Sequence, residues 1–303
     1  MEKIVYALGF FDGVHLGHQA LLEACRNLAR EEKAKAGALT FEGSPQSLMK
    51  EGPGLITTLE EREHLFYQMG MEKVLILPFD ENLKKMSWQA FFHLLVDTYH
   101  AAGFVCGEDF RFGAGGAGNA ACLQELCQKE GLPCRVVEKV LVDSQVVSSR
   151  QIRRLLEEGR IEKANALLGH PHLLMGSVLP GKQLGRTIGV PTANLSYDRK
   201  RLALPYGVYA CRVKIAGKAY AAVTNIGTRP TVEGENVTAE PWILDFNGDL
   251  YGKKLQLELL SFLRPERKFA DLTALKAQIE ADAVVAREIF EKTRGWQEIQ
   301  KKK

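Results

Sequence analysis

Short apolar runs alternate with segments of helical periodicity over the first half of the chain. The runs at 4–8, 37–41, 73–77, 104–106 and 134–137 fit buried strands, and the segments between them repeat apolar residues every three or four positions. We predict helices there, at 19–34, 59–69, 88–99 and 123–129. This alternation predicts a parallel sheet with helices on both faces, whose ligands would bind beyond the carboxyl ends of the strands.

The hydrophobic pattern changes in the second half. Two short helices are predicted at 152–158 and 162–168, and glycines that suit helix ends follow both of them. Beyond them the apolar positions alternate with polar ones, as in Tyr209, Cys211 and Val213, and glycines separate the runs. A final helix is predicted from a cap at Asp271 to about residue 294. The second half therefore predicts an all-β small barrel with a C-terminal helix.

Length and composition narrow the class of protein. A chain of 303 residues suggests two domains, which we place at 1–170 and 171–303. Hydrophobic residues make up 46% and charged residues 25%, which excludes a disordered or fibrous chain.

No apolar stretch approaches 18 residues, so we expect no membrane partner. The net charge of +3 is too small to indicate a nucleic-acid partner. Six cysteines without a C-x-x-C pair, and no export signal, lead us to expect a cytoplasmic protein with free thiols. The sequence does not indicate an oligomeric state.

The first candidate site joins the first predicted strand to the first predicted helix. Gly9-Phe10-Phe11-Asp12-Gly13-Val14-His15-Leu16-Gly17-His18 would direct backbone amides and the positive end of a helix at a ligand. His15 and His18 are three residues apart and would share a helix face. The spacing alone allows three interpretations: a phosphate site, an ordinary helix start with one surface and one core histidine, or a two-histidine metal site.

The second candidate site is the glycine-rich segment that contains Gly181, Gly185 and Gly189 and ends at Asn194. It lacks the Gly-Lys-Ser/Thr of a P-loop, but its glycines could still hold phosphates through backbone amides. Thr192 and Asn194 offer neutral oxygens that suit Mg²⁺ shared with ATP phosphates. The alternative is a turn with a capping asparagine. Taken by itself, Glu240 fits a surface carboxylate on a strand.

Longer motifs extend the first site. The Phe-Asp-Gly-Val-His-Leu-Gly-His run resembles the His-x-Gly-His signature of nucleotidylyltransferases, and more closely the bacterial bifunctional riboflavin kinase/FAD synthetases. Segments 107–113 and 148–153 resemble further motifs of that family, in order. The resemblance implies a Rossmann-like, nucleotidylyltransferase-like N-terminal domain that transfers AMP from ATP to FMN, giving FAD and pyrophosphate. It implies these site residues: His15, His18 and Arg153 as catalytic groups; Gly9, Phe10, Asp12, Gly17, Ser148 and Ser149 for ATP; Asp109, Phe110 and Arg111 for the flavin.

The second half resembles the riboflavin kinase part of the same family. The similar segments are Gly-x-x-Leu-Gly-x-x-x-Gly-x-Pro-Thr-Ala-Asn at 181–194, Asn-Ile-Gly-Thr-Arg-Pro-Thr at 225–231, and 244–246, 250–252 and 263–269. The resemblance implies transfer of the γ-phosphate of ATP to the 5′-hydroxyl of riboflavin. The implied roles are Glu240 as general base; Gly181, Gly185, Thr192 and Asn194 for ATP; Thr192 and Asn194 for Mg²⁺; Asn225, Arg229 and Arg264 for the flavin.

Two positions depart from the family pattern. Arg150 stands where the family usually has threonine, and Ser44 stands where it usually has histidine. They motivate two alternatives to a two-step enzyme: a riboflavin kinase whose adenylyltransferase is weakened or inactive, and a flavin- or nucleotide-binding regulator without catalysis. In the leading hypothesis ATP, riboflavin and FMN are the small-molecule partners, with FAD as the product.

Overall fold

The computed structural model describes residues 2–42, 54–180, 189–231 and 234–300. The chain forms two compact units, Met1–Ser149 and Arg150–Lys303. The sequence places the domain boundary later, at residue 170, and so assigns the two bridging helices to the first domain. None of the helices within the described ranges is long and apolar enough to cross a membrane.

The first unit is built on a parallel sheet. Its strands lie in the order β3-β2-β1-β4-β7, where β1 is Ile4–Leu8, β2 Lys35–Glu42, β3 Lys73–Pro78, β4 Ala101–Gly107 and β7 Cys134–Val137. The central strand β1 is buried from Val5 to Leu8 because helices cover both faces of the sheet. The predicted Rossmann-like class is confirmed.

Helices alternate with these strands as predicted, with shifted ends. The helices are α1 Leu16–Glu31, α2 Leu59–Gln68, α3 Glu81–Lys85, α4 Trp88–His93 and α5 Ala120–Glu130. The predicted helix at 19–34 begins at Leu16 because the His15 side chain caps it, and it ends at Glu31 before Lys33 turns to a φ of 51°. The predicted helix at 88–99 is α-helical only to His93 and continues as a π-helical turn, Leu94–Thr98.

Two small hairpins complete the first unit at the carboxyl side of the sheet. One pairs β5, Arg111–Phe112, with β6, Gly118–Asn119. The other pairs β8, Leu141–Val142, with β9, Gln145–Val146. The sequence pattern did not indicate them, because two-residue strands are too short to show a period.

The second unit contains α6 Ser149–Glu157 (whose first residue belongs to the first unit), α7 Ile161–Leu168, a closed barrel and a long C-terminal helix α8, Leu272–Gln300. The barrel order is β10-β11-β14-β13-β12-β15, where β10 is His172–Leu179, β11 Asn194–Leu195, β12 Gly207–Ile215, β13 Lys218–Thr231, β14 Gly234–Ile243 and β15 Lys254–Pro265. The side chains of Ala283, Ala286 and Phe290 pack α8 against the outer barrel face. The predicted barrel and final helix are confirmed, and Asp271 caps that helix through Ala274 N–H at 2.8 Å.

Candidate active sites

The loop between β1 and α1 has an unusual backbone. Phe11, Gly13 and Val14 have φ values of 59°, 84° and 41°. Left-handed φ is unfavourable for phenylalanine and especially for a β-branched residue such as valine, so this turn is strained. Such a turn persists only where its surroundings fix it.

Contacts from distant parts of the first unit fix this loop. The Asp12 carboxylate is buried and accepts hydrogen bonds from the backbone N–H groups of Ile56 at 3.2 Å and Thr57 at 3.0 Å. The Ser149 hydroxyl donates to the Asp12 carbonyl at 3.0 Å, and Gly13 N–H donates to the Thr57 hydroxyl at 2.9 Å. Two residues predicted to bind ATP, Asp12 and Ser149, thus make contacts that shape the loop.

The two predicted catalytic histidines meet at the start of α1. His15 is the N-cap, and its Nδ1 accepts a hydrogen bond from His18 N–H at 3.4 Å. The two rings are stacked, with centroids 3.6 Å apart and planes inclined by 16°. Burial, then His15 and the Arg62 guanidinium, hold the pKa of His18 well below its usual value. His18 is therefore neutral at pH 7 and presents an imidazole that can share a proton with an anionic ligand.

A cavity of about 1020 Å³ opens beside this pair. Phe110 and Phe112 form part of its wall, with rings stacked 5.4 Å apart at 15°. This volume and these aromatic faces suit a large planar ligand next to phosphate. The residues predicted for the first site that line the cavity are Gly9, Phe10, His15, Gly17, His18, Asp109, Phe110, Arg111, Ser148 and Ser149.

Two residues predicted for the first site are not among those that line this cavity. Asp12 is buried beneath the loop and is not part of the cavity wall. Arg153 lies on α6, in the second compact unit. Lys139, which the sequence did not single out, lines the cavity and forms ion pairs with Glu108 at 3.4 Å and Asp109 at 3.9 Å.

The second unit has a smaller cavity, of about 540 Å³. Thr192 lines it, together with the loop 246–251 that follows β14. Asn194, two residues further on, begins β11, and its Oδ1 is buried without a hydrogen-bond partner among the residues that the structure describes. A buried amide oxygen that lacks a donor is costly, and a bound cation would satisfy it. Within the described ranges no cluster of three or more His, Cys, Asp or Glu side chains could hold a metal.

Glu240 and Asn225 are direct neighbours on paired strands of the barrel. Glu240 Oε1 accepts a hydrogen bond from the Thr238 hydroxyl at 3.1 Å, and Asn225 Nδ2 donates to Glu266 Oε1 at 2.9 Å. Gly227 leaves room for the Glu266 carboxylate, which a β-carbon at that position would displace. The barrel register thus brings Glu240 beside one of the predicted flavin-binding residues.

The remaining predicted residues of the second site have different places. Arg264 donates through Nε and Nη2 to the buried Asp282 carboxylate of α8, at 3.0 and 2.7 Å, and so ties β15 to that helix. Glu266, two residues further along the chain, contacts Asn225 instead. Arg229 lies on β13, and its side chain, together with Gly181, Gly185 and Ser44, lies outside the described residues.

Two families with known members match the two halves of the chain. The FAD synthetase family matches residues 1–151 and the riboflavin kinase family matches residues 168–290. The bifunctional riboflavin kinase/FMN adenylyltransferase of Bacillus subtilis (strain 168) is 36% identical over 299 residues, covering 96% of this chain and 94% of that protein. The chain belongs to the bifunctional riboflavin kinase/FMN adenylyltransferase family. The Escherichia coli (strain K12) member of the family is 37% identical over 293 residues and covers 95% of this chain and 93% of its own length.

A solved structure matches along the same length. A crystal structure described as a macrolide-efflux protein from Streptococcus pneumoniae superposes with a TM-score of 0.82 at 31% identity, covering 94% of each chain. A solved protein therefore shares the folds of both units of this chain. The efflux description applies to that protein.

Sequence reasoning missed several residues that contact the predicted site residues or line the first cavity. Arg62, Thr40, Lys139 and Glu266 all contact predicted site residues or line a site cavity. A charged residue at a predicted core position of a helix was the available signal for Arg62, because arginine is rarely fully buried. No local pattern marked Lys139 or Glu266, since both reach their partners through tertiary contacts.

Proposed function

We propose that this chain makes FAD in two steps. The second unit transfers the γ-phosphate of ATP to riboflavin, and the first unit transfers AMP from ATP to the resulting FMN, releasing pyrophosphate. The membership of the chain in the bifunctional family supports both activities. The observation that carries the proposal is the convergence of the 9–18 segment, the 109–112 segment and Ser148–Ser149 on one cavity. We place the functional domains at 1–170 and 171–303.

In the first unit the ATP triphosphate would lie at the N-terminus of α1. Free backbone N–H groups of the first helical turn and the helix dipole favour an anion there. His15 and His18 would stabilise the charge that develops on the α-phosphate, and the negative ligand would raise the low pKa of His18 as it binds. The stacked rings of Phe110 and Phe112 would orient the flavin so that the phosphate of FMN attacks the α-phosphate of ATP in line with the departing pyrophosphate.

In the second unit Glu240 would act as general base. Its carboxylate would accept the proton of the ribityl 5′-hydroxyl as that oxygen attacks the γ-phosphate. Thr192 and Asn194 would hold Mg²⁺, and the orphaned Asn194 Oδ1 fits that role. When bound, Mg²⁺ would neutralise charge on the ATP phosphates. Asn225, fixed by Glu266, would contact the flavin from the strand beside Glu240.

One assay separates this function from its alternatives. The purified chain is incubated with riboflavin, ATP and Mg²⁺, and the flavins are separated by chromatography. Formation of FAD supports the two-step enzyme. Accumulation of FMN alone, also when FMN is supplied as substrate, indicates a kinase whose adenylyltransferase is inactive. Unchanged riboflavin and FMN would indicate a binding protein without catalysis. A cytoplasmic location and the absence of a nucleic-acid partner stay predictions of the sequence.

A further inference from the structure

Arg62 on α2 is buried, with only 1% of its surface exposed. Its hydrogen-bond acceptors are neutral oxygens, and the buried carboxylates of Asp12 and Glu61 attract it without touching it in an ion pair among the described residues. Burying a cation without a paired carboxylate costs stability, so an arginine is rarely kept in such a place for packing alone. The two catalytic candidates His15 and His18 stand at the end of the loop that Arg62 contacts.

The shorter hydrogen bonds of Arg62 bind the Phe10 carbonyl directly and through Thr40, and a longer one reaches the Phe41 carbonyl at 3.5 Å. Its Nη1 donates to the Phe10 carbonyl at 2.8 Å and to the Thr40 hydroxyl at 2.9 Å. The Thr40 hydroxyl in turn donates to the same Phe10 carbonyl at 2.9 Å. The guanidinium also lies over the Phe10 ring, 4.3 Å from its centroid. The Phe10 peptide is therefore held from two elements, α2 and the end of β2.

This anchor lies directly before the strained part of the loop. Phe11 follows Phe10 with a φ of 59°, and Val14 has a φ of 41° before His15 caps α1. Without the guanidinium, the Phe10 carbonyl would lose a charge-assisted hydrogen bond and the turn could relax toward ordinary φ values. That relaxation would displace His15 and the amides at the start of α1.

We propose that Arg62 is a positioning residue of the adenylyltransferase site. By fixing the Phe10 carbonyl it holds the 9–15 loop, and through it His15, in the geometry that receives the ATP triphosphate. The assignment rests on the proposed function for its catalytic consequence. The positioning of the loop is itself measurable without turnover.

The test compares three full-length variants with the unmodified chain. Arg62→Met keeps the volume and removes every donor, Arg62→Lys keeps the charge but not the planar fork, and Arg30→Met is the matched control at an exposed arginine of α1. We expect Arg62→Met to lower kcat for FAD formation from FMN roughly 100-fold and to raise the KM for ATP, since small misplacements of catalytic groups have effects of this size. Arg62→Lys should fall in between. FMN formation from riboflavin should stay unchanged in all three.

A further measurement, with a control for folding, distinguishes positioning from a general structural role. Arg62→Met leaves buried acceptors without their donor, so some loss of stability is expected, and all rates are therefore compared at a temperature at which circular dichroism shows every variant to be folded. Amide hydrogen exchange in Arg62→Met should accelerate in the 9–15 loop and stay unchanged in α1. Full FAD synthesis by Arg62→Met, or unchanged exchange in the loop, overturns the proposal. If the unmodified chain forms no FAD, the proposed function fails, and the exchange data alone decide whether Arg62 holds the loop.

Discussion

The His15 side chain caps the helix that carries His18, and the two imidazole rings stack 3.6 Å apart. One residue therefore caps the helix and, in the proposed function, also takes part in catalysis. Its Nδ1 accepts the backbone hydrogen bond of His18, while its ring lines the cavity of the first unit. This double role allows the two contributions to be separated by mutation.

Replacing His15 by asparagine should slow FAD formation and keep the cap. Asparagine is a favoured N-cap, whereas alanine in that position costs about 0.5–2 kcal/mol. We expect His15→Asn to lower kcat for FAD formation by roughly 10²–10³-fold, the usual effect of removing one charge-stabilising donor, with no loss of thermal stability. His15→Ala should lose both activity and stability. If the His15→Asn variant forms FAD at the normal rate, His15 has no part in catalysis.

The general-base role of Glu240 predicts a selective defect. Glu240→Gln keeps the oxygen that accepts from the Thr238 hydroxyl but cannot take up the riboflavin proton. FMN formation should drop by roughly 10²–10⁴-fold, the usual contribution of a general base. Riboflavin binding, followed by quenching of flavin fluorescence, should persist, and FAD formation from supplied FMN should be unaffected. Near-normal phosphorylation by this variant would remove Glu240 from the base role.

The Asn194 Oδ1 atom, which has no hydrogen-bond partner in the described part of the chain, predicts a change in magnesium dependence. Asn194→Leu removes the oxygen at similar volume, so half-maximal FMN formation should require more Mg²⁺, whereas Asn194→Asp, which keeps an oxygen, should work at Mg²⁺ concentrations near those of the unmodified chain. Chelation with EDTA should stop phosphorylation in every variant. The kinase rate is measured over a Mg²⁺ titration at fixed ATP. Identical titration curves for the leucine and asparagine forms would contradict the assignment.

His172 predicts a loss of stability in acid. It is buried at the start of β10, and burial lowers its pKa to about 3 from the usual 6.5. Since the unfolded chain binds a proton that the folded chain rejects, stability is complete above about pH 6.5 and falls as the pH drops toward 3. At pH 5 the loss should be about 2 kcal/mol in the free energy of unfolding.

The measurement for His172 is urea unfolding at pH 7 and pH 5. His172→Gln should reduce the difference between the two pH values, because glutamine does not titrate. The matched control, His93→Gln, changes an exposed histidine and should leave the difference as it is. An equal acid sensitivity in His172→Gln would show that other groups cause it.

Local sequence determined much of this protein. The 3.6-residue period of apolar positions indicated the helices that cover the parallel sheet and α8, and the 2-residue period indicated the barrel strands. Both periods arise because each element must turn an apolar face toward a core. The glycines and the His15–His18 spacing marked the first loop as a candidate phosphate site, since those features act between near neighbours in the chain. Element ends were less certain, as at Leu16, where a side-chain cap rather than periodicity starts the helix.

Only the tertiary structure decided which side chains support the sites. Arg62 and Phe10 are 52 residues apart, and Asn225 and Glu266 are 41 apart. Arg264, which the sequence predicts to bind the flavin, donates a hydrogen bond to Asp282 of α8, a partner that the sequence did not indicate. Periodicity reports which face of an element is buried, but it carries no information on which distant residue fills the space opposite. Those partners are fixed when the strands and helices pack, and at Phe10 and Asn225 they hold the residues that the sequence had already singled out.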